Sequence, residues 1–556
     1  MQNNNHTQST EEILNRIKKS GITSSKDLSG THRRPLVQKE SFVKQVSWWV
    51  ISVSVFLGIT FFIFFVNSAL DFNWVQSKHG FFYTTLTTNP DHVTDALGSF
   101  IELLAANLGI MITVVAIVLQ LAAQRYGTRL IDLFLDDKIN RTYFVFMVSN
   151  LLFSIILIFS IKTDFYPFYA IEFLLIFTLI EISLLAPYFL YVFQFLTPTN
   201  LLSAIQATSK DSIKKATLRN NYPQMQVLQK EVANSVDQVT DTALSANSQM
   251  DRNLGLMAIG QIREMVLDYM ELKKKLPKIW FSAQQDFFVG ISSEFYQEIC
   301  NQRLWFEAKT FMDMELIYRT CIRDMPDAIS AIALNTRIIG EAAIKYRDDF
   351  LLDMVVKFYN TFIRVSLNDL NQRAIFNLYY QYRLLAESIF DYDVELSKKI
   401  IFYFKDYGEI ALKQKNLPFV MYNAAFDMGT MVAKAHDKKL SNMKEILLTF
   451  MELEDKVDKQ KDVFALMGIR KSQLILAAYL LSQGDPSLLP IIVEDLKHDT
   501  FSFLIQLRDS LLAVKDKKYW EITDRGYNFE YIDEEQKEYL NQFYEEYIIS
   551  QKEEFK

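Results

Sequence analysis

The residues of this 556-residue chain best placed to do chemistry are polar groups set inside long apolar runs. Glu181 is the sharpest case, near the middle of the run from Phe168 to Leu196. An ionisable side chain at bilayer depth costs roughly 2.5–3.5 kcal/mol on insertion scales, so its retention needs a reason. Two reasons fit. Glu181 lines a water-filled pathway and binds or relays cations or protons, or it is a protonated carboxyl hydrogen-bonded to Asn150, Gln120 or a neighbouring subunit as packing glue. Glu102 and Glu172 lie nearer the outer ends of their runs, within reach of headgroups or water. Asn107, Gln120 and Asn150 add neutral polar groups to the same region. Pro187, six residues after Glu181, removes one backbone donor and is expected to bend its helix.

Elsewhere the chain carries no recognised catalytic motif. It contains no Gly-x-Gly-x-x-Gly, no phosphate loop of the Walker type, no Gly-x-Ser-x-Gly and no His-Glu-x-x-His. The six histidines are scattered, and His436 and His498 stand alone in charged surroundings. The charged run from Glu452 to Asp462 lacks a calcium-loop glycine and reads as a solvated helical face or turn. Cys300 and Cys321 cannot build a disulfide framework or a cysteine-rich zinc site, and free thiols suit a reducing cytosol. No metal, cofactor or catalytic residue is expected. A net charge of −7 argues against a nucleic-acid partner, which would need a basic face.

The elements that position these groups follow from segregation of the apolar residues, which make up 50% of the chain. Four stretches are long enough to cross about 30 Å of hydrocarbon, which takes about 20 helical residues. They run from Val46 to Val66, Phe100 to Ala123, Tyr143 to Ile161 and Phe168 to Leu196. The first follows the interface-type pair Trp48–Trp49 and lies too deep in the chain for a cleavable signal. Lys and Arg concentrate in the N-terminal tail, in the loop between the second and third spans, and just after the fourth. The first outer loop has only Lys78 and the second only Lys162. This asymmetry predicts cytoplasmic termini on both sides. Arg125, Arg129 and Arg141 of the inner loop either contact anionic headgroups, at about 1 kcal/mol each, or only set orientation.

Beyond the spans, charges recur every few positions and apolar residues repeat at helical spacing, as in Glu264–Leu272 and Leu378–Ile389. With 16 Gly and 11 Pro, long helices are favoured over turn-rich β structure. Breaks are expected near Pro223, Pro277, Pro326, Pro418 and Pro486, and at Asn368–Asp369 as a helix cap. About ten to twelve helices are predicted, with a short hairpin near Tyr519–Tyr531 and no strict repeat. The aromatic stripe Tyr539, Phe543, Tyr544 and Tyr547 is expected to pack on preceding helices. The fold class is all-α: a polar tail over 1–40, a four-span membrane domain over 41–198, and a cytoplasmic domain of stacked helical hairpins or a bundle over 199–556.

The segment Ile112–Asn140 resembles the signature of the DUF2254 family of bacterial membrane proteins. That signature is a span ending in Leu-Gln-Leu-Ala, a basic turn, an Arg-Leu pair and a Phe-Leu-x-Asp step. Here these are Leu119, Gln120, Leu121, Ala122, Arg129, Leu130, Phe134, Leu135 and Asp137. Thr128 stands where the family usually has proline. A second family pattern, an Ala-Leu-Ser-x-x-x-Asn-Asp helix entry, is similar to Ala243–Asn247 and, more closely, to Val365–Asp369. The resemblance implies membrane topology and no established chemistry. The chain is expected in a bacterial inner membrane as a multi-pass protein with the lipid bilayer as partner and a cytoplasmic protein as a candidate one. Four helices alone make a poor pore, so conduction would require a homo-oligomer. Two functions are expected: an oligomeric channel or transporter with a pathway near Glu181, or an anchored helical scaffold that recruits cytoplasmic proteins.

Overall fold

The computed structural model describes residues 90–126, 131, 134–135, 137–160, 168–519 and 525–555. The expected polar tail and the first span, Val46–Val66, lie outside the described residues, as does Arg129. Among the described residues there is no strand. The chain divides into two compact units, one holding the residues up to Val118 with Leu133–Leu196, the other Leu119–Asp132 with Thr197–Lys556.

In the first unit the apolar runs form α1 (Pro90–Tyr126), α2 (Lys138–Ser160) and α3 (Phe168–Phe195). Continuous apolar composition with few glycines leaves the helix as the structure that satisfies every backbone group internally, which a bilayer demands. Large apolar side chains such as Ile110, Ile117, Ile156 and Phe159 are exposed, the arrangement expected of lipid-facing surfaces. A core of Leu97, Leu104, Leu157 and Leu174 draws on all three helices. Helix α3 runs unbroken through Pro187. Helix α1 has 37 residues and so extends about 56 Å, well beyond the bilayer's hydrocarbon thickness.

The second unit is a run of helices joined by short turns: α4 (Pro198–Thr217), α5 (Tyr222–Ser248), α6 (Arg252–Lys273), α7 (Ser293–Asn301), α8 (Trp305–Cys321), α9 (Pro326–Tyr346), α10 (Asp349–Asn368), α11 (Gln372–Ile389), α12 (Val394–Lys415), α13 (Pro418–Asp437), α14 (Met443–Met451), α15 (Val463–Ser482), α16 (Leu489–Leu496), α17 (Phe501–Leu512) and α18 (Glu534–Phe543). That exceeds the expected ten to twelve, because α7, α14 and α16 are too short to register as periodic segments. Pro223, Pro326 and Pro418 open helices, as expected where a missing N–H is no loss.

The packing is a stack of hairpins. One row runs α5, α8, α10, α12, α14 and the other α6, α9, α11, α13, α15, each helix touching the next in its row. From α8 onward the hairpins begin at residues 305, 349, 394 and 443, a spacing of 44 to 49, within the range of two-helix repeat arrays. The stacked hairpins expected from the sequence thus recur at a loose spacing rather than a strict period. That recurrence is carried by length and turn geometry rather than by residue identity.

The turns explain this. Met250, Arg303, Arg347, Leu370 and Lys439 adopt left-handed backbone, with φ between 52° and 61°. After each, the next N–H bonds the carbonyl five residues back, as in Asp251 to Ala246 at 2.8 Å and Asn371 to Ser366 at 2.9 Å. This is the Schellman closure. At three of these turns, Asp251, Asp348 and Asn371 then cap the following helix. The two Ser-x-Asn stretches expected as helix entries are thus helix exits: Ala243–Asn247 ends α5 and Val365–Asn368 ends α10. Nor does Asn368–Asp369 cap a helix start. Asn371 does so, and Asp369 pairs with Arg323.

The expected hairpin near Tyr519–Tyr531 is a succession of turns over its described part, and 520–524 lie outside the described residues. The terminal aromatic stripe packs as expected, with Phe543 and Tyr544 buried and the Tyr544 hydroxyl donating to the Leu504 carbonyl at 2.6 Å.

By length and composition α15 joins α1, α2 and α3 as a helix able to cross a bilayer. Its window is 72% buried against 11–28% for the others, and it carries buried Arg470 and Lys471. Helix α15, last in its row, is buried because α13, α16, α17 and α18 pack around it.

Candidate functional site

Two aligned contacts set α2 against α3. The Tyr143 and Tyr188 rings stack at 4.3 Å, and Asn150 Nδ2 donates to Glu181 Oε2 at 2.8 Å. The residues that pair run in opposite directions along the two helices, so the helices are antiparallel. Glu181 is 1% exposed. Among the described residues its second oxygen, Oε1, has no hydrogen-bond partner, and neither does the buried Thr178 hydroxyl, one turn earlier on the same face of α3. Tyr143 donates to the Glu181 main-chain carbonyl at 3.3 Å. The structure therefore joins Glu181 and Asn150 and leaves acceptor capacity open beside them.

The other expected groups are placed differently. Asn107 is buried on α1, whereas Glu102 and Gln120 are exposed on that helix. Glu172 lies on α3. Arg125 sits in the last turn of α1, and Arg141 is exposed in the first turn of α2. Of the signature residues, Leu119 and Ala122 face inward while Gln120 and Leu121 face outward. The Phe-Leu-x-Asp step builds the entrance to α2. Asp137 Oδ2 accepts from the amides of Ile139 and Asn140 at 2.9 and 3.1 Å. Asn140 Nδ2 donates back to the Phe134 carbonyl at 2.8 Å, and Phe134 packs edge-on against Phe195. Asp137 also receives the Tyr191 hydroxyl. These residues cap a helix, which gives the motif a structural meaning.

The helical unit holds buried charge that the sequence reading passed over. Arg470 is fully buried among Glu454, Asp495 and Asp499, at 2.6 Å from Asp495 and 2.5 Å from Asp499. The run from Glu452 to Asp462 is consequently not wholly a solvated face, since Glu454 is buried in this cluster. His498 lies beside Glu454 and Asp495 in a grouping able to hold a metal ion. Arg470 already pairs with both carboxylates and Lys459 with Glu454, so the donor set does not favour a further cation. His436 is not alone either, pairing with Asp485 at 3.0 Å.

Arg525 grips Asp427 with both terminal nitrogens, at 2.8 and 2.7 Å, over the Phe376 ring. Arg383 stands 3.1 Å from the same carboxylate. On α8, Lys309 bridges Asp237 and Asp313, each at 2.6 Å. Lys273 bridges Glu307 and Asp348, also at 2.6 Å each. Burial pushes the Glu307 carboxyl above its usual range despite Lys273, and its Oε2 has no partner. A signal existed for these clusters: charges at apolar helical positions, such as Arg470 and Lys471 within Val463–Ser482.

No curated protein matches the chain. Among solved structures, one described as "Circular tandem repeat protein with novel repeat topology and enhanced subunit contact surfaces" is 13% identical, with a TM-score of 0.33, covering 76% of this chain and 97% of that one. A likeness that slight bears on neither fold nor function. The family match is firmer in the membrane region: it takes in Ala243–Asn247 and stops before Val365–Asp369, the stretch that had looked closer to the family pattern. Residues 38–252, which contain α1 to α5, match the model of the family described as predicted membrane protein (DUF2254).

Proposed function

We propose that this membrane protein works as a homo-oligomer whose α2–α3 site at Glu181 binds and relays protons or small cations, with the helical unit regulating it from the cytoplasm. The Lys and Arg asymmetry of the loops supports cytoplasmic termini, and the DUF2254 likeness supports a bacterial inner membrane. The observation that carries the reading is the half-satisfied carboxyl: Glu181 is buried, Asn150 holds one oxygen, and among the described residues the other oxygen and the Thr178 hydroxyl have no partner. Packing glue gains by satisfying both oxygens, because an orphaned buried acceptor costs about 1–3 kcal/mol. A site that takes up a proton or cation leaves one free. Oligomerisation supplies the further helices that a pathway needs. On α1, Ala105, Ala106 and Gly109 are exposed, and a Cβ at Gly109 meets no atom of the described residues within 4 Å, which supports close approach of a second copy there.

The test is ion and proton flux into liposomes, wild type beside Glu181→Gln at matched assembly. Glutamine keeps an acceptor for Asn150 but cannot ionise. Wild-type flux that the substitution abolishes supports the pathway. Absence of flux across several ions, pH values and imposed potentials leaves the anchored scaffold, which the extended hairpin stack favours as a binding platform.

A further inference from the structure

Where α6, α7 and α9 end and α10 begins, a cleft of about 610 Å³ opens in the helical unit. Its wall carries four cations, Lys273, Lys274, Arg303 and Arg347, against two carboxylates, Asp348 and Asp349. On a chain with net charge −7 this is a local concentration of cations. Lys273 is committed to Glu307 and Asp348, which use two of its three N–H donors. Among the described residues no carboxylate lies within ion-pair distance of Lys274, Arg303 or Arg347. Arg303 instead lies over the Phe281 ring at 5.3 Å. Tyr346 and Phe350 add aromatic surface, and Phe350 is 56% exposed at this cleft.

We propose that this cleft binds a phosphate-bearing small molecule with a planar ring, of the nucleotide class. The three unpaired cations and the remaining Lys273 donor take the phosphates, arginine being suited to bidentate contact with their oxygens. The exposed aromatic groups take the ring by stacking, and the volume falls within the span of small-molecule sites. A blander account has the cations only complementing helix C-termini. The left-handed backbone supplies the variant that tests the two. Arg303 and Arg347 hold φ of 61° and 55°, the left-handed position where glycine is the default. Glycine in their place removes charge while relieving that conformation.

The experiment is calorimetric titration of the full chain in detergent with ATP, pyrophosphate and adenosine, for wild type and Arg303→Gly/Arg347→Gly. Saturable ATP binding that falls at least tenfold in the double variant, with an unchanged melting midpoint, is the expected result. Phe350→Ala is expected to weaken ATP severalfold and leave pyrophosphate unchanged, and adenosine is expected to bind least. No saturable ATP binding, or ATP affinity equal in wild type and the double variant, overturns the proposal. Pyrophosphate binding tighter than ATP overturns the ring component. Should the double variant melt lower, Lys274→Gln, which alters no backbone conformation, is read instead, and unchanged ATP affinity there has the same overturning force.

Discussion

At the scale of single residues, buried polar groups here are held in pairs whose members are not interchangeable. Asn150→Leu leaves both Glu181 oxygens without partners. It is expected to destabilise the membrane unit by about 1–3 kcal/mol, read as a lower unfolding midpoint in detergent. Arg470→Met removes the buried guanidinium shared by Glu454, Asp495 and Asp499, leaving the partly exposed Lys459 to Glu454 and Asp499. Removing one side of a buried ion cluster costs about 3–5 kcal/mol, so thermal unfolding of this variant is expected to fall far below wild type.

Glu307 supplies a pH signature. Burial raises its folded pKa above the unfolded value, so the fold holds the proton more tightly than the unfolded chain. Its stabilising contribution is complete below the unfolded pKa near 4.5 and is lost as pH rises through the folded pKa. Glu307→Gln is expected to flatten stability over that window, and melting curves at successive pH values from 4 upward check it.

At the scale of elements, close helix crossings and tight turns carry the constraint. Helices α13 and α15 meet at Gly468, where a Cβ would lie 2.9 Å from the Tyr422 Cα and closer still to its ring. Backbone cannot yield as a flexible side chain can, so Gly468→Ala is expected to cost at least about 1–3 kcal/mol, seen in the denaturant midpoint. Leu370 sits exposed in left-handed backbone at the α10–α11 turn. Leu370→Gly is expected to hold or raise stability by up to about 1 kcal/mol, since the glycine gain there offsets its unfolded-state entropy. These turns recur although their residues differ, because Schellman closure depends on backbone geometry and an Asx cap, not on a conserved string.

At the scale of the whole molecule, the question is which apolar helices meet lipid. Helix α15 passes the length and composition test for a span yet is three-quarters buried within the hairpin stack. Residues 197–556 expressed without the spans are therefore expected to be soluble and strongly helical by circular dichroism. Recovery of that fragment only in membranes would make α15 a span.

Composition alone determined the all-α class, the positions of α1, α2 and α3, and the proline-led helix starts, because these depend on local periodicity and on backbone groups satisfied within one segment. Glu181 was visible for the same reason: a charge inside an apolar run is anomalous wherever the chain folds. Its choice of Asn150 over Gln120 was not visible, since that rests on the register of two antiparallel helices. The Arg470, Arg525 and Lys309 clusters were hidden too: apart from the i,i+4 pair Lys309–Asp313, their charged partners lie 16 to 98 residues away. Only the tertiary structure brought Arg303 and Arg347, 44 positions apart, to one cleft, because helix ends converge through stacking and not through sequence.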